Sequence, residues 1–115
     1  MEVANDAVLG HRVVGCTTIV AVDIKPSRLE MARELGATHT INAAEANPVE
    51  EIQRITGIGV NYSIETTALP SVFRQAVDSL ALTGLCGSIG AAPLGTEVTS
   101  DMNSILFGWR ACAEC

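Results

Sequence analysis

The sequence predicts an α/β fold: a parallel sheet of the doubly wound kind with helices on its faces. Three observations predict it. Short apolar, β-branched runs alternate with segments whose apolar residues recur at helical spacing. The helical segments open near Pro26, Pro48 and Pro70 and close near Gly36, Gly57 and Gly84, the order in which helix ends favour these residues. The strand-like runs are spaced widely enough for a helix to cross back between them, as parallel neighbours require.

In chain order, residues Met1 to Cys16 carry little period; Ala7, Val8 and Leu9 fit a short strand ending at Gly10. Thr18 to Ile24 reads as a buried strand, because β-branched residues fill both of its faces. A helix follows from about Pro26 to Leu35. Ser27 and Glu30 have capping-box spacing, Leu29, Ala32 and Leu35 with Met31 beside them form the apolar stripe, and Gly36 suits the left-handed C-terminal position. A short strand is expected at His39 to Ile41. Asn47 then caps a second helix that Pro48 opens, with Val49, Ile52 and Ile55 as its stripe and Gly57 and Gly59 at its end. Val60 to Glu65 is the next strand. Pro70 and Ser71 open a third helix that buries Val72, Phe73, Ala76, Val77 and Leu80 and ends at Gly84; Leu85 to Ile89 is a further strand. After Pro93 the pattern weakens. Ser104 to Phe107 fits a last edge strand, and Trp109 to Cys115 has no usable period.

The 115 residues allow a single small domain over 1–115. With 48% apolar but only 3% aromatic residues, its core must be built from Val, Ile, Leu, Ala and Met. A net charge of −6 argues against a nucleic-acid partner, and any phosphate ligand needs a local site. No apolar run approaches the roughly 18 residues that span a bilayer, so no membrane partner is expected. Glu2 and Asp6 stand where a secretory signal would carry basic residues, and a cytoplasmic location is the expectation. Cys16, Cys86, Cys112 and Cys115 are too scattered for a disulfide framework.

Among candidate site residues, Asp23 stands out. Ligands of doubly wound sheets sit at the carboxyl ends of the strands. A carboxylate there accepts hydrogen bonds from both hydroxyls of an adenosine ribose, and its charge repels a 2′-phosphate, favouring NAD over NADP. From position alone the commoner role is a strand-end Asp that caps its own turn. Thr66, Thr67 and Ala68, and likewise Gly90, Ala91 and Ala92, make small-residue loops at strand ends, fit either for a flat ligand or simply as short connections. The spacing Cys112-x-x-Cys115 suits redox or half of a metal site, but with no second pair and no following helix it reads as a frayed tail. His11 and His39 show no ligand spacing, so no metal site is assigned.

Several strings resemble the coenzyme-binding domain of the zinc-dependent, medium-chain alcohol dehydrogenases, nearest to the aryl-alcohol (benzyl alcohol) branch. They are A-V-D-I-K-P-S-R-L-E-M-A-R-E-L-G-A-T-H-T-I-N, then G-V-N-Y-S-I-E-T-T-A, then G-A-A-P-L-G-T and N-S-I-L-F-G, within Val13 to Gly108. The resemblance implies a Rossmann-type sheet and NAD as cofactor. It implies that Asp23, with Ile24 after it, holds the adenosine ribose and that Arg28 lies beside the same nucleoside. Thr66 and Thr67 would line the adenine side, and Ile89, Gly90 and Ala91 would lie near the nicotinamide. Residues 1–16 and 109–115 leave the family's pattern. The family's zinc ligands, proton relay and substrate pocket have no counterparts here, so zinc is expected only in intact members and no catalytic residue is assigned. The G-x-G-x-x-G turn, due about 20 residues before the acidic residue, is represented only by Gly10 and Gly15. The first βα unit is therefore expected to be missing or shortened, and NAD binding to be weak or lost, since the first helix N-terminus normally holds the pyrophosphate. The family's central strand would be lacking, leaving a gap between the Thr18 and Val60 strands. The exposed sheet edge allows a homo-oligomer. The expectation overall is a truncated coenzyme domain inactive alone, with a residual nucleotide-binding or interaction module acting as an oligomer as the alternative.

Overall fold

The computed structural model of the chain describes residues 13–103 and 111–114. It divides into two compact units, with the boundary between Glu51 and Ile52.

In the first unit, β1 (Val20–Asp23) and β2 (His39–Asn42) pair in parallel, with Val20 opposite His39 and Asp23 opposite Asn42. Helix α1 (Pro26–Leu35) crosses between them. Ile19, Ala32 and Ala37 form its small core, with Cys16, Ala21 and Leu35 packed against it. Thr38 fastens the start of β2 to the residue before β1: its amide donates to the Ile19 carbonyl at 2.8 Å, and its hydroxyl accepts from the Ile19 amide at 2.9 Å.

Pro26 opens α1 as expected, but the Ser27–Glu30 capping box does not form. Lys25 is the N-cap and no side chain caps it; its carbonyl accepts from the amides of Arg28 and Leu29. The turn into the helix is closed instead by the Asp23 carboxylate. Gly36 closes α1 at φ 124°, a conformation that costs a side chain. Leu29 and Ala32 are buried on the expected stripe, whereas Met31 lies half-exposed beside it.

Helix α2 (Pro48–Thr56) spans the boundary between the units. Asn47 caps it: its Oδ1 accepts from the amides of Val49 at 3.0 Å and Glu50 at 3.3 Å. Gly57 and Gly59, at φ 79° and 98°, turn the chain out of it.

The second unit holds β3 (Val60–Glu65), α3 (Pro70–Asp78), β4 (Leu80–Ser88) and β5 (Ala111–Glu114), with a fully parallel sheet in the order β3-β4-β5. Its core is Val77, Leu80 and Cys86, with Val60, Phe73 and Ala76 packed against it. Two expectations are corrected here. The third helix does not run to Gly84. It ends at Asp78, where the Ser79 hydroxyl donates back to the Gln75 carbonyl at 2.7 Å. Leu80, fully buried, opens β4 rather than lining the helix. Between the pairs Val60–Leu80 and Tyr62–Leu85 the register shifts, and the surplus residues of β4 are absorbed at Thr83, whose φ is 63°, and at buried Gly84. The second correction concerns the tail: Ala111–Glu114 is no frayed end but a strand, registered against Leu85–Ser88.

Among the described strands, β1 and β2 form a sheet separate from that of β3, β4 and β5. The strands expected at Ala7–Leu9 and Ser104–Phe107, and the first βα unit expected to be missing or shortened, fall outside the described residues. Among the described residues no helix is long and apolar enough to cross a membrane.

Candidate functional site

Asp23 is the last residue of β1, so its side chain stands at the strand's carboxyl end. Its Oδ1 accepts hydrogen bonds from the amides of Ile24 at 2.7 Å and Lys25 at 3.1 Å, closing the turn into α1. Its Oδ2 lies 3.8 Å from a guanidinium nitrogen of Arg28 in the first turn of α1, with the Asp23 side chain 16% exposed. So the turn-capping role is real, and it occupies one oxygen. A carboxylate offers about four lone-pair sites, so capacity for ligand donors remains on Oδ2, beside a partly exposed cation. The Arg28 contact is long and solvated, and such pairs are worth at most about 1 kcal/mol. Ile24 presents an exposed apolar side chain next to the carboxylate. The first unit thus brings Asp23, Ile24 and Arg28 together at one strand end: a polar acceptor, an apolar surface and a cation.

The second unit brings the other candidates together. Thr66 and Thr67 leave the end of β3; Ile89, Gly90 and Ala91 leave the end of neighbouring β4. These loops are tied to each other by Glu65, the last residue of β3, which is 2% exposed. Its Oε1 accepts from the Thr67 amide at 2.5 Å, from the Thr67 hydroxyl, and from the Ala68 amide at 2.9 Å. Its Oε2 accepts from the Ser88 hydroxyl at 3.4 Å, and its main-chain carbonyl accepts from the Ile89 amide at 3.0 Å. Gly90 lies so close to Ala68 that a Cβ on it would stand 2.9 Å from the Ala68 Cβ and amide nitrogen. Ala68 itself sits at φ 60°, a left-handed conformation that costs a non-glycine residue roughly 1–2 kcal/mol.

Glu65 and Ser88 were not among the residues the sequence singled out. The available signal was a carboxylate at a strand end followed two residues later by a hydroxyl, E-T-T, an arrangement that lets a side chain close its own loop.

A groove of about 560 Å³ beside α1 and β2, lined by Leu29, Arg33, Thr40 and Asn42 among others, includes none of the candidate residues. Among the described residues no group of three or more His, Cys, Asp or Glu side chains is placed to hold a metal ion. The described residues do not fit a zinc site. Cys86 stands opposite Cys112 in the β4–β5 register; Cys115 lies outside the described residues.

The family model described as zinc-binding dehydrogenase matches residues 6–112. The chain belongs to the zinc-binding dehydrogenase family. An alcohol dehydrogenase of Cupriavidus necator is 38% identical over 103 residues, which are 89% of this chain and 28% of that protein. Among solved structures, an alcohol dehydrogenase zinc-binding domain protein from Burkholderia ambifaria superposes with a TM-score of 0.93 at 48% identity, covering 96% of this chain and 30% of the other. Benzyl alcohol dehydrogenase from Acinetobacter calcoaceticus does so with a TM-score of 0.93 at 41% identity, covering 96% of this chain and 31% of the other. The zinc-binding dehydrogenase chain described here therefore spans 28–31% of the length of these relatives. Its fold is the Rossmann-type α/β arrangement of such dehydrogenases, with every described strand pairing parallel.

Proposed function

We propose that this chain is the coenzyme-binding part of an alcohol dehydrogenase and that its ligand is NAD, bound weakly by this stretch alone. The observation that carries the reading is the carboxylate of Asp23, placed at the carboxyl end of β1 with Oδ1 spent on its own turn and Oδ2 beside Arg28. In a parallel α/β sheet this is where nucleotide ligands bind. Oδ2 would accept from the adenosine ribose hydroxyls, Arg28 would lie along the same nucleoside, and Ile24 would offer an apolar surface to the base. The carboxylate would disfavour a 2′-phosphate by like-charge repulsion, so NAD is preferred to NADP. In the second unit, taken by itself, Thr66 and Thr67 and the backbone of Ile89, Gly90 and Ala91 would be the coenzyme-facing residues at the strand ends. NAD, when bound, supplies the hydride acceptor; the residues named here bind and orient it.

The similarity to benzyl alcohol dehydrogenase supports an aryl alcohol as the substrate of the whole enzyme. This stretch by itself is expected to turn over no alcohol, because it corresponds to less than a third of such relatives. A cytoplasmic setting suits a cofactor of that compartment's redox metabolism.

Calorimetric titration with NAD and with ADP-ribose tests the reading. Binding of both, lost in Asp23→Ala, supports it; no heat at millimolar ligand, or binding indifferent to Asp23→Ala, rejects it. A second reading, a module that assembles with copies of itself through a sheet edge, rests on the strand order. Among the described strands β1 pairs only with β2, and β3 only with β4. Sedimentation equilibrium decides that reading: a monomer across the accessible concentration range removes it.

A further inference from the structure

Glu65 is the least exposed carboxylate-bearing residue among the described core, and the ligand contacts proposed above do not use it. Burying a carboxylate is costly unless donors surround it. Here the carboxylate's donors come from the Thr66–Ala68 loop and, at 3.4 Å, from Ser88 at the end of β4. Through Oε1 the side chain gathers the amide and hydroxyl of Thr67 and the amide of Ala68. Through Oε2 it receives the hydroxyl of Ser88, and through its main chain the amide of Ile89. The Gly90–Ala68 contact leaves no room for independent movement at this point: a single added carbon would collide with the neighbouring loop.

We infer that Glu65 is a positioning residue for the coenzyme: it fastens the Thr66–Ala68 loop to the end of β4, from which the Ile89–Ala91 turn leaves, so that both are held in ligand-receiving geometry before NAD arrives. This rests on the NAD reading above. Charge-assisted hydrogen bonds from main-chain amides are the strong kind, and a loop ordered in advance spares the ligand the cost of ordering it. Ala68 at φ 60° fits the same picture, since a strained residue persists only where its surroundings hold it.

The test compares NAD affinity in the 115-residue chain with that of Glu65→Ala and Glu65→Gln, at a temperature where circular dichroism shows each variant folded. Glutamine keeps an acceptor oxygen for Thr67 and Ala68 and an amide group toward Ser88, so Glu65→Gln is expected to bind NAD within about threefold of the wild type. Glu65→Ala removes every side-chain tie and is expected to bind about tenfold more weakly while folded. A residue of purely structural use would lower the melting temperature of Glu65→Ala and leave the affinity of the folded protein unchanged; that result overturns the inference and leaves the NAD reading standing. Absence of NAD binding in the wild type would overturn both. If Glu65→Ala does not fold, Ser88→Ala replaces it. That variant cuts only the Oε2 tie and is expected to weaken NAD about threefold with a native-like melt; unchanged affinity would refute the coupling of the two loops.

Discussion

Replacing Gly59 by alanine should damage the second unit far more than the same replacement at Gly57, and the difference can be worked from geometry. Both glycines have positive φ, 79° at Gly57 and 98° at Gly59. At Gly57 an added Cβ meets nothing within 4 Å. The cost there is the left-handed conformation, about 1–2 kcal/mol, partly offset by about 0.4–1 kcal/mol because alanine narrows the unfolded ensemble. Gly57→Ala should therefore lose only about 1 kcal/mol. At Gly59 the added carbon would lie 2.7 Å from the Ala81 amide nitrogen, 2.8 Å from the Leu80 carbonyl carbon and 2.8 Å from the Ser79 carbonyl oxygen. All are main-chain atoms where β4 begins, and the Ser79 oxygen already accepts from the Val60 amide at 2.9 Å. None can swing aside as a side-chain tip would, so an overpacking cost of about 1–3 kcal/mol adds to the backbone strain. Gly59→Ala should lose about 2–4 kcal/mol. Urea unfolding followed by circular dichroism at 25 °C measures both variants, read from midpoints at unchanged slope. Equal losses would refute the claim that Gly59 is required by the close approach of β3 to the start of β4.

The corrected helix cap gives a matched pair: Asn47→Ala should lose about 1 kcal/mol, while Ser27→Ala, at a position that caps nothing, should stay within about 0.5 kcal/mol in the same melts. Leu80→Ala should cost about 2–5 kcal/mol, because Leu80 is fully buried against Val77 and Cys86; a loss typical of a surface site would contradict its place in the core. Gly90→Ala should shift the Ala68 loop and weaken NAD in calorimetric titration, since the new carbon would stand 2.9 Å from Ala68; unaltered affinity would contradict that.

Much of the framework could be read from local signals, because those signals and the tertiary packing agree. Helix α1 occupies the predicted Pro26–Leu35, β3 the predicted Val60–Glu65, and Asn47 caps as its position implies. The misreadings arise where non-local pairing overrides the local pattern. Leu80 falls three and four residues after Val77 and Ala76, so it continues the helical stripe on paper. Pairing with Val60 claims it for β4 instead, once Ser79 has closed the helix. The tail A-C-A-E has no alternation of its own and becomes a strand only because Leu85–Ser88 offers it an edge. The Ser27–Glu30 spacing fails because Asp23, several residues upstream, already organises the turn into α1. At the candidate site, Asp23 was legible from its place at a strand end. Glu65 was not: a carboxylate at the end of a strand reads as surface charge until the fold brings Ser88 and Ile89 to it.

The most direct test is a titration of isotope-labelled chain with NAD, following the main-chain amides of Ile24 and Lys25, the two donors to Asp23 Oδ1. If Asp23 receives the adenosine ribose, these resonances move in a saturable way and cease to move in Asp23→Ala. Silence at both amides up to millimolar NAD, or identical shifts in the variant, would contradict it.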